Sequence, residues 1–181
     1  IPEIAPKILQ AAMYNAGQVC IAIKRLYVHE SQYDRMCEEL AKQAAKIVVG
    51  DGLDEGTMMG PVQNEAQFVK VQEFLADARA NGRIIAGGKA LDRDGYFIEP
   101  TIVRDISDDA RLVREEQFGP VLPVVGYEQL DEAIGYINAR PRPLALYFFG
   151  SDSAAQERVL TRTVSGGVTV NDCLLHIAQE N

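Results

Sequence analysis

The chain has 181 residues, 47% of them hydrophobic, with 26 acidic and 18 basic residues and a formal net charge of -8. This length suffices for one domain with a sizeable core that needs no disulfide or metal to hold it. The acidic balance, without a lysine and arginine cluster, argues against a nucleic-acid partner and favours a small molecule. Because no apolar run approaches bilayer-spanning length, we also expect no membrane partner.

The cysteines are odd in number and widely spaced, with no Cys-x-x-Cys pair: Cys20, Cys37 and Cys173. This usage is typical of reduced thiols, so the sequence predicts a soluble, cytoplasmic protein. His176 follows Cys173 by three residues, but two candidate ligands are too few for a metal site, and we expect no metal.

The first predicted helix leads directly to a cysteine. Apolar residues recur at helical spacing over residues 2–14, and Asn-Ala-Gly-Gln-Val-Cys follows at residues 15–20, here named the thiol loop. Residues 24–29 are predicted to be a strand. Ser31 is the expected N-cap of the next helix, with Cys37 beside its apolar stripe as a packing residue.

Cys20 is a candidate nucleophile because of its place in this loop. A thiol reacts as thiolate, which requires exposure and groups that stabilise negative charge. Gly17 can adopt positive φ and bring backbone amides towards a carbonyl oxygen. The alternative is a small apolar cysteine that only packs, which is the commoner role of a lone cysteine.

The rest of the chain alternates between predicted strands and helices. Helices are predicted at residues 64–80, 130–138 and 154–161, and strands at 83–86, 96–103, 121–125, 144–149 and 164–170. Pro100 should restrict its strand to an edge or a bulge. The alternation predicts an α/β fold with a mainly parallel sheet and ligand-facing loops at the carboxyl ends of its strands.

Four motifs are spread over nearly the whole chain. The first is the thiol loop, as Asn-x-Gly-Gln-x-Cys, followed by a small residue and Arg25. The others are Gly-Tyr-Phe-Ile-Glu-Pro-Thr at 95–101, Glu-Glu-Gln-Phe-Gly-Pro-Val at 115–121 and Ser-Gly-Gly-Val-Thr-Val-Asn-Asp at 165–172. The motifs and their order resemble those of the aldehyde dehydrogenase superfamily, and this resemblance implies a three-layer αβα catalytic domain.

The resemblance also implies an activity and a role for individual residues. It implies oxidation of a small-molecule aldehyde to a carboxylic acid with NAD or NADP, through a thiohemiacetal and a thioester on Cys20. Glu116 would contact the nicotinamide ribose, and Phe118 would lie beside the nicotinamide ring. The other motif positions expected to support the active site are Asn15, Gly17, Gln18 and Asn171.

The family's nucleotide-binding half, which carries an oxyanion-binding Asn and a Glu-Leu-Gly-Gly general-base segment, normally precedes the helix at residues 2–14. A Pro-Phe-Gly-Gly turn and an oligomerisation strand normally follow the last motif. We therefore expect residues 1–181 to be a truncated catalytic domain, without the N-terminal NAD-binding domain and the C-terminal oligomerisation strand.

Residues 141–149 and Val-Asn-Asp at 170–172 resemble the branch with class 3, fatty-aldehyde and coniferyl-aldehyde dehydrogenases. That branch implies a bulky or aromatic aldehyde and a homodimeric full-length enzyme. Leu174, Leu175 and Ile177 would line a substrate tunnel or pack in the core. Two alternatives stay open: a CoA-acylating relative, and a noncatalytic structural relative, which the retained Cys20 disfavours.

Overall fold

The computed structural model describes residues 1–178. The helices are α1 (Ile4–Met13), α2 (Glu30–Ala44), α3 (Glu65–Asn81), α4 (Arg111–Arg114), α5 (Leu130–Asn138) and α6 (Ser153–Arg162). The strands are β1 (Leu26–His29), β2 (Arg83–Ala86), β3 (Thr101–Arg104), β4 (Val121–Tyr127), β5 (Ala145–Phe148) and β6 (Gly167–Val170). Short 3₁₀ turns cover Tyr14–Gly17 and Leu175–Ile177. None of the helices in this part of the chain is both long enough and apolar enough to cross a bilayer.

Parallel pairing dominates the sheets, as predicted. Four strands lie in the order β1-β4-β3-β2, with β4 parallel to both β1 and β3 and only β2 antiparallel. Strands β5 and β6 pair in parallel as a separate two-stranded sheet. The parallel strands of residues 1–178 are therefore divided between two sheets, where the sequence suggested one.

The four-stranded sheet lies between two layers of helices. Successive residues of a strand point to opposite faces, so neighbouring positions of β3 and β4 enter different cores. The core on the α1 and α2 side includes Ile102, Leu122 and Val124. The core on the α3 and α4 side includes Val103, Val121 and Val125. This arrangement, with the likeness to solved structures described below, confirms the α/β class and its layers.

The N-cap of α2 differs from the predicted one. The helix begins at Glu30, and His29 is the cap: its Nδ1 accepts a hydrogen bond from the Ser31 backbone N–H at 3.2 Å. The Ser31 hydroxyl also lies 2.8 Å from this nitrogen. Ser31 was therefore the wrong choice: it lies inside the helix, and its own N–H is one of the free groups of the first turn, which the imidazole two positions earlier satisfies.

Two prolines lie at the limits of strand pairing. Strand β3 begins at Thr101, so Pro100 stands just outside it and the strand is shorter than the predicted 96–103. Because β3 is an interior strand of its sheet, the edge position, one of the two alternatives that Pro100 suggested, was wrong. In β4, pairing with β3 ends at Pro123 and pairing with β1 begins at Val124. Proline, which has no N–H to donate, therefore sits at the junction of the two ladders.

Helix α4 was not predicted. It is a single turn whose Leu112 and Val113 are fully buried, and the Leu112 N–H donates to the Asp77 carboxylate of α3 at 2.9 Å. Four residues are too few to show helical periodicity, so packing against α3 defines this turn.

Leu40→Ala tests the core beneath α2. Leu40 is 0% exposed, so truncation should leave a cavity and lower the free energy of unfolding by about 2–5 kcal/mol. The matched control is Leu53→Ala, because Leu53 is 94% exposed and its loss should change stability by no more than about 0.5 kcal/mol. Urea denaturation measures both changes, and equal losses in the two variants would contradict this core.

Candidate functional site

The thiol loop turns sharply after α1. Asn15, Ala16 and Gly17 all have left-handed backbones, with φ of 51°, 54° and 71°. The positive φ expected for Gly17 is confirmed, and it extends to two residues that carry a β-carbon. Such residues adopt this conformation at a cost, so the surrounding contacts must hold the loop in place.

The loop lies directly against the turn formed by residues 115–120. A β-carbon added to Gly17 would lie 2.2 Å from the Gly119 carbonyl oxygen and 3.2 Å from the Ala12 carbonyl oxygen. The first distance is shorter than any real contact, so a side chain at position 17 would push the two segments apart. Glycine here is required by the close approach as well as by the positive φ.

Hydrogen bonds from two polar side chains hold the loop. Gln18 Nε2 donates to the Asn15 carbonyl at 2.9 Å, and Gln18 Oε1 accepts from the Gln63 N–H at 2.9 Å. Asn15 Nδ2 donates to the Gln18 carbonyl at 3.3 Å. Asn15 and Gln18 therefore stabilise the turn that presents Cys20, and Gln18 also ties it to the chain before α3.

Cys20 is exposed, while the residues after it are buried. Ile21 and Ile23 are 9% and 8% exposed, and the Tyr147 hydroxyl of β5 donates to the Ile21 carbonyl at 2.7 Å. Within residues 1–178, the Cys20 backbone N–H donates to no acceptor. The thiol and this N–H group are both open to an incoming molecule.

The other two thiols are inaccessible. Cys37 packs in the core beneath α2, as predicted, and Cys173 is buried below the end of β6. Burial raises the pKa of Cys37 to about 11 and the pKa of Cys173 to about 12. Both remain protonated thiols at neutral pH, which leaves Cys20 as the candidate nucleophile.

In the 115–120 turn, a buried side chain stands between an exposed carboxylate and a partly exposed ring. Glu116 is exposed and Phe118 is partly exposed, whereas Gln117 is fully buried and donates to the Lys24 carbonyl at 3.2 Å. Gln67 Nε2 donates to the Gln117 and Phe118 carbonyls, both at 2.8 Å. These amides hold Phe118, whose φ is 45°, in a left-handed conformation.

Lys24 connects the loop and the turn. Its ammonium donates to the Gly17 carbonyl and lies 4.9 Å from the centre of the Phe118 ring. Burial lowers the pKa of Lys24 to about 8, although the negative charges of Glu116 and Cys20 act in the opposite direction. Sequence reasoning missed this residue. The available signal was the cation that ends the apolar run after Cys20.

Asn171 does not contact the thiol loop. Its Oδ1 accepts from the Gly150 N–H at 2.9 Å and its Nδ2 donates to the Gly150 carbonyl at 3.0 Å, so it joins the ends of β5 and β6. Asn171 was expected to support the active site, but its side-chain hydrogen bonds go to Gly150; the neighbouring Asp172 pairs with Lys7 of α1 at 2.8 Å, so the link to the thiol loop is indirect.

No metal-binding group of three or more His, Cys, Asp or Glu side chains is present among the described residues. His176 Nδ1 lies 3.1 Å from the Thr169 hydroxyl, and its ring lies 5.9 Å from that of Tyr147. His176 therefore has packing and hydrogen-bonding partners within this part of the chain.

Comparison with known proteins agrees with this geometry. The sequence profile that describes the aldehyde dehydrogenase family matches residues 1–180. A Caulobacter vibrioides protein named "Probable coniferyl aldehyde dehydrogenase" is 40% identical over 98% of this chain and 37% of its own length. Betaine aldehyde dehydrogenase of Brucella anthropi is 39% identical over 87% of this chain and 34% of its own.

Solved structures show the same fold. Aldehyde dehydrogenase from Bacillus cereus, solved with NAD⁺, superposes with a TM-score of 0.90 at 30% identity, covering 98% of this chain and 35% of its own. A mutant of aldehyde dehydrogenase C from Pseudomonas syringae, solved with NAD⁺ and octanal, gives 0.88 at 31% identity, covering 94% and 36%. The chain thus spans a little over a third of the length of these relatives, and it belongs to the aldehyde dehydrogenase family.

Proposed function

We propose that this chain is the thiol-bearing catalytic part of an enzyme that oxidises aldehydes to carboxylic acids with NAD or NADP. The observation that carries the proposal is the meeting of the thiol loop with the 115–120 turn at Gly17 and Gly119. This contact joins the segment that exposes a thiol to the segment that exposes a carboxylate and a ring. Family membership and the solved complexes of relatives with NAD⁺ support it.

In the proposed reaction, the Cys20 thiolate adds to the carbonyl carbon and forms a carbon–sulfur bond. The carbonyl oxygen becomes negatively charged, and the Cys20 N–H, which has no acceptor within residues 1–178, is placed to donate to it. Departure of the carbon-bound hydrogen as hydride leaves a thioester. Water then cleaves the carbon–sulfur bond, which releases the acid and returns a proton to the thiol.

The exposed side chains of the 115–120 turn fit a nicotinamide nucleoside. The Glu116 carboxylate can accept hydrogen bonds from the ribose hydroxyls, and the partly exposed Phe118 ring can pack beside the nicotinamide. Bound nicotinamide supplies the hydride acceptor. Since the sequence contains no Gly-x-Gly-x-x-Gly pattern, we assign most dinucleotide contacts to residues outside this chain.

For the substrate we propose a bulky or aromatic aldehyde. Three similar relatives support this choice: one is named "Coniferyl aldehyde dehydrogenase" and two are named "Probable coniferyl aldehyde dehydrogenase". Leu175 and Ile177, exposed at 57% and 69%, provide apolar surface near the end of β6. We further propose that the full-length enzyme is cytoplasmic, since the free Cys20 thiol requires a reducing compartment. We also propose that it is a homodimer, as the resemblance to the coniferyl-aldehyde branch implies.

Cys20 should be the most reactive thiol of the chain. Limited iodoacetamide labelling of the folded protein, mapped by mass spectrometry, should modify Cys20 well before Cys37 or Cys173, because those two are buried. Labelling of the unfolded protein is the control and should remove the preference. Preferential modification of Cys37 in the folded protein would overturn the assignment of Cys20 as nucleophile.

Glu116→Gln should slow hydride transfer in the intact enzyme more than it lowers stability. Loss of a charge-assisted hydrogen bond should reduce single-turnover nicotinamide reduction by about 10- to 100-fold. Glu115→Gln is the matched control, because Glu115 pairs with Arg111 at 2.9 Å and is assigned no ligand. It should keep normal hydride transfer at a cost of about 1 kcal/mol or less. A destabilised Glu116→Gln protein with normal hydride transfer would refute the role.

The 181-residue polypeptide alone should not reduce NAD⁺ or NADP⁺ with an aldehyde. It carries Cys20 and one oxyanion donor, but no segment matching the family's general base, whose loss costs about 10²- to 10⁴-fold, and no dinucleotide cradle. Slow Cys20-dependent hydrolysis of activated esters should persist, because it needs no nicotinamide. Absorbance of reduced nicotinamide is the measurement, with Cys20→Ala as control. Cysteine-dependent reduction would show that these residues suffice for cofactor binding.

A further inference from the structure

Lys24 is held at both its backbone and its side chain by the two segments of the site. Its carbonyl accepts from Gln117 Nε2 at 3.2 Å, which anchors the backbone to the 115–120 turn. Its ammonium donates to the Gly17 carbonyl of the thiol loop and faces the Phe118 ring at 4.9 Å. One residue therefore contacts the segment that carries the thiol and the segment assigned to the nicotinamide.

We propose that Lys24 is a positioning residue that fastens the thiol loop to the 115–120 turn and so sets the distance between Cys20 and Phe118. In the reaction it acts through these two residues and touches neither aldehyde nor cofactor. Only the consequence for hydride transfer rests on the proposed function. The fastening itself is a property of the chain without ligands.

The charge of Lys24 explains why a lysine suits this position. The ring face of Phe118 and the Gly17 carbonyl both carry negative partial charge towards the ammonium, and Glu116 and Cys20 are the titratable groups that interact with it. Lys24 is partly buried, so a neutral side chain of similar length would keep the packing and lose the attraction. Lys24→Met is that substitution, and Lys24→Arg keeps a cation.

The test measures whether Phe118 influences the thiol through Lys24. In the full-length protein at pH 7, where Lys24 with its pKa of about 8 is mainly an ammonium, the iodoacetamide labelling rate of Cys20 is compared with and without Phe118→Leu. Loss of the ring contact should free the loop and raise this rate by about two- to fivefold. In the Lys24→Met background the same substitution should change the rate by less than about 1.5-fold, because the connection is already absent.

Lys70→Met is the matched control background. Lys70 also places its ammonium over a phenylalanine, at 5.8 Å from the Phe74 ring centre, and both residues belong to α3. In that background the full effect of Phe118→Leu should remain, because the Lys70–Phe74 pair lies within α3 and includes no residue of the thiol loop or the 115–120 turn. The proposal is overturned if Phe118→Leu has no effect in any background, or an equal effect with and without Lys24.

Hydride transfer gives a second, separable readout. Lys24→Met should lower the single-turnover rate by about tenfold without lowering thermal stability, and Lys24→Arg should restore most of the rate. A loss of rate that follows a loss of stability would mean that Lys24 is merely structural. If the unmodified protein transfers no hydride while the labelling result holds, the proposed function fails and the fastening stands.

Discussion

The site depends on the close approach of two backbones, at Gly17 and Gly119. These residues lie about a hundred positions apart, yet a β-carbon on Gly17 would lie 2.2 Å from the Gly119 carbonyl oxygen. The fold creates this approach because α1 ends just before the thiol loop, while β4, the interior strand paired with β1 and β3, begins just after the 115–120 turn. The helix and the strand share one core, so neither segment can move away without disturbing it.

Glutamine side chains hold these irregular segments in place by hydrogen bonds. Gln18 bonds to both its own loop and Gln63, Gln67 bonds to two carbonyls of the turn, and the buried Gln117 bonds to Lys24. Loops beside a packed core cannot leave their carbonyl groups unpaired, since each such group costs free energy. Glutamine suits this task because one side chain provides donors and an acceptor without adding charge.

Sequence patterns predicted regular elements well and their partners poorly. Helix α5 has the bounds predicted from its apolar spacing, since that spacing is a local property. The division of parallel strands between two sheets, the interior place of β3 and the one-turn α4 depend on contacts between distant residues, which no local pattern reports. The cap at His29 escaped notice because serine is the more common cap.

The candidate site shows the same division. Cys20, Gly17 and the 115–120 turn carry family motifs and could be placed from sequence, while Lys24 and Gln67 could not, because their roles arise only when the two segments meet. Asn171 carries a motif too, but its hydrogen bonds go to Gly150 at the ends of β5 and β6. A motif therefore marked that residue without indicating which segment it supports.

The lowered pKa of Lys24 has a thermodynamic consequence for the whole chain. Folding disfavours the ammonium, so the unfolded chain binds more protons than the folded chain between pH about 8 and the ordinary lysine pKa of 10.5. The contribution of this group to stability consequently increases as pH rises through that interval, because protonation of Lys24 costs folding free energy at lower pH. A neutral side chain at position 24 would remove this contribution to the pH dependence of stability.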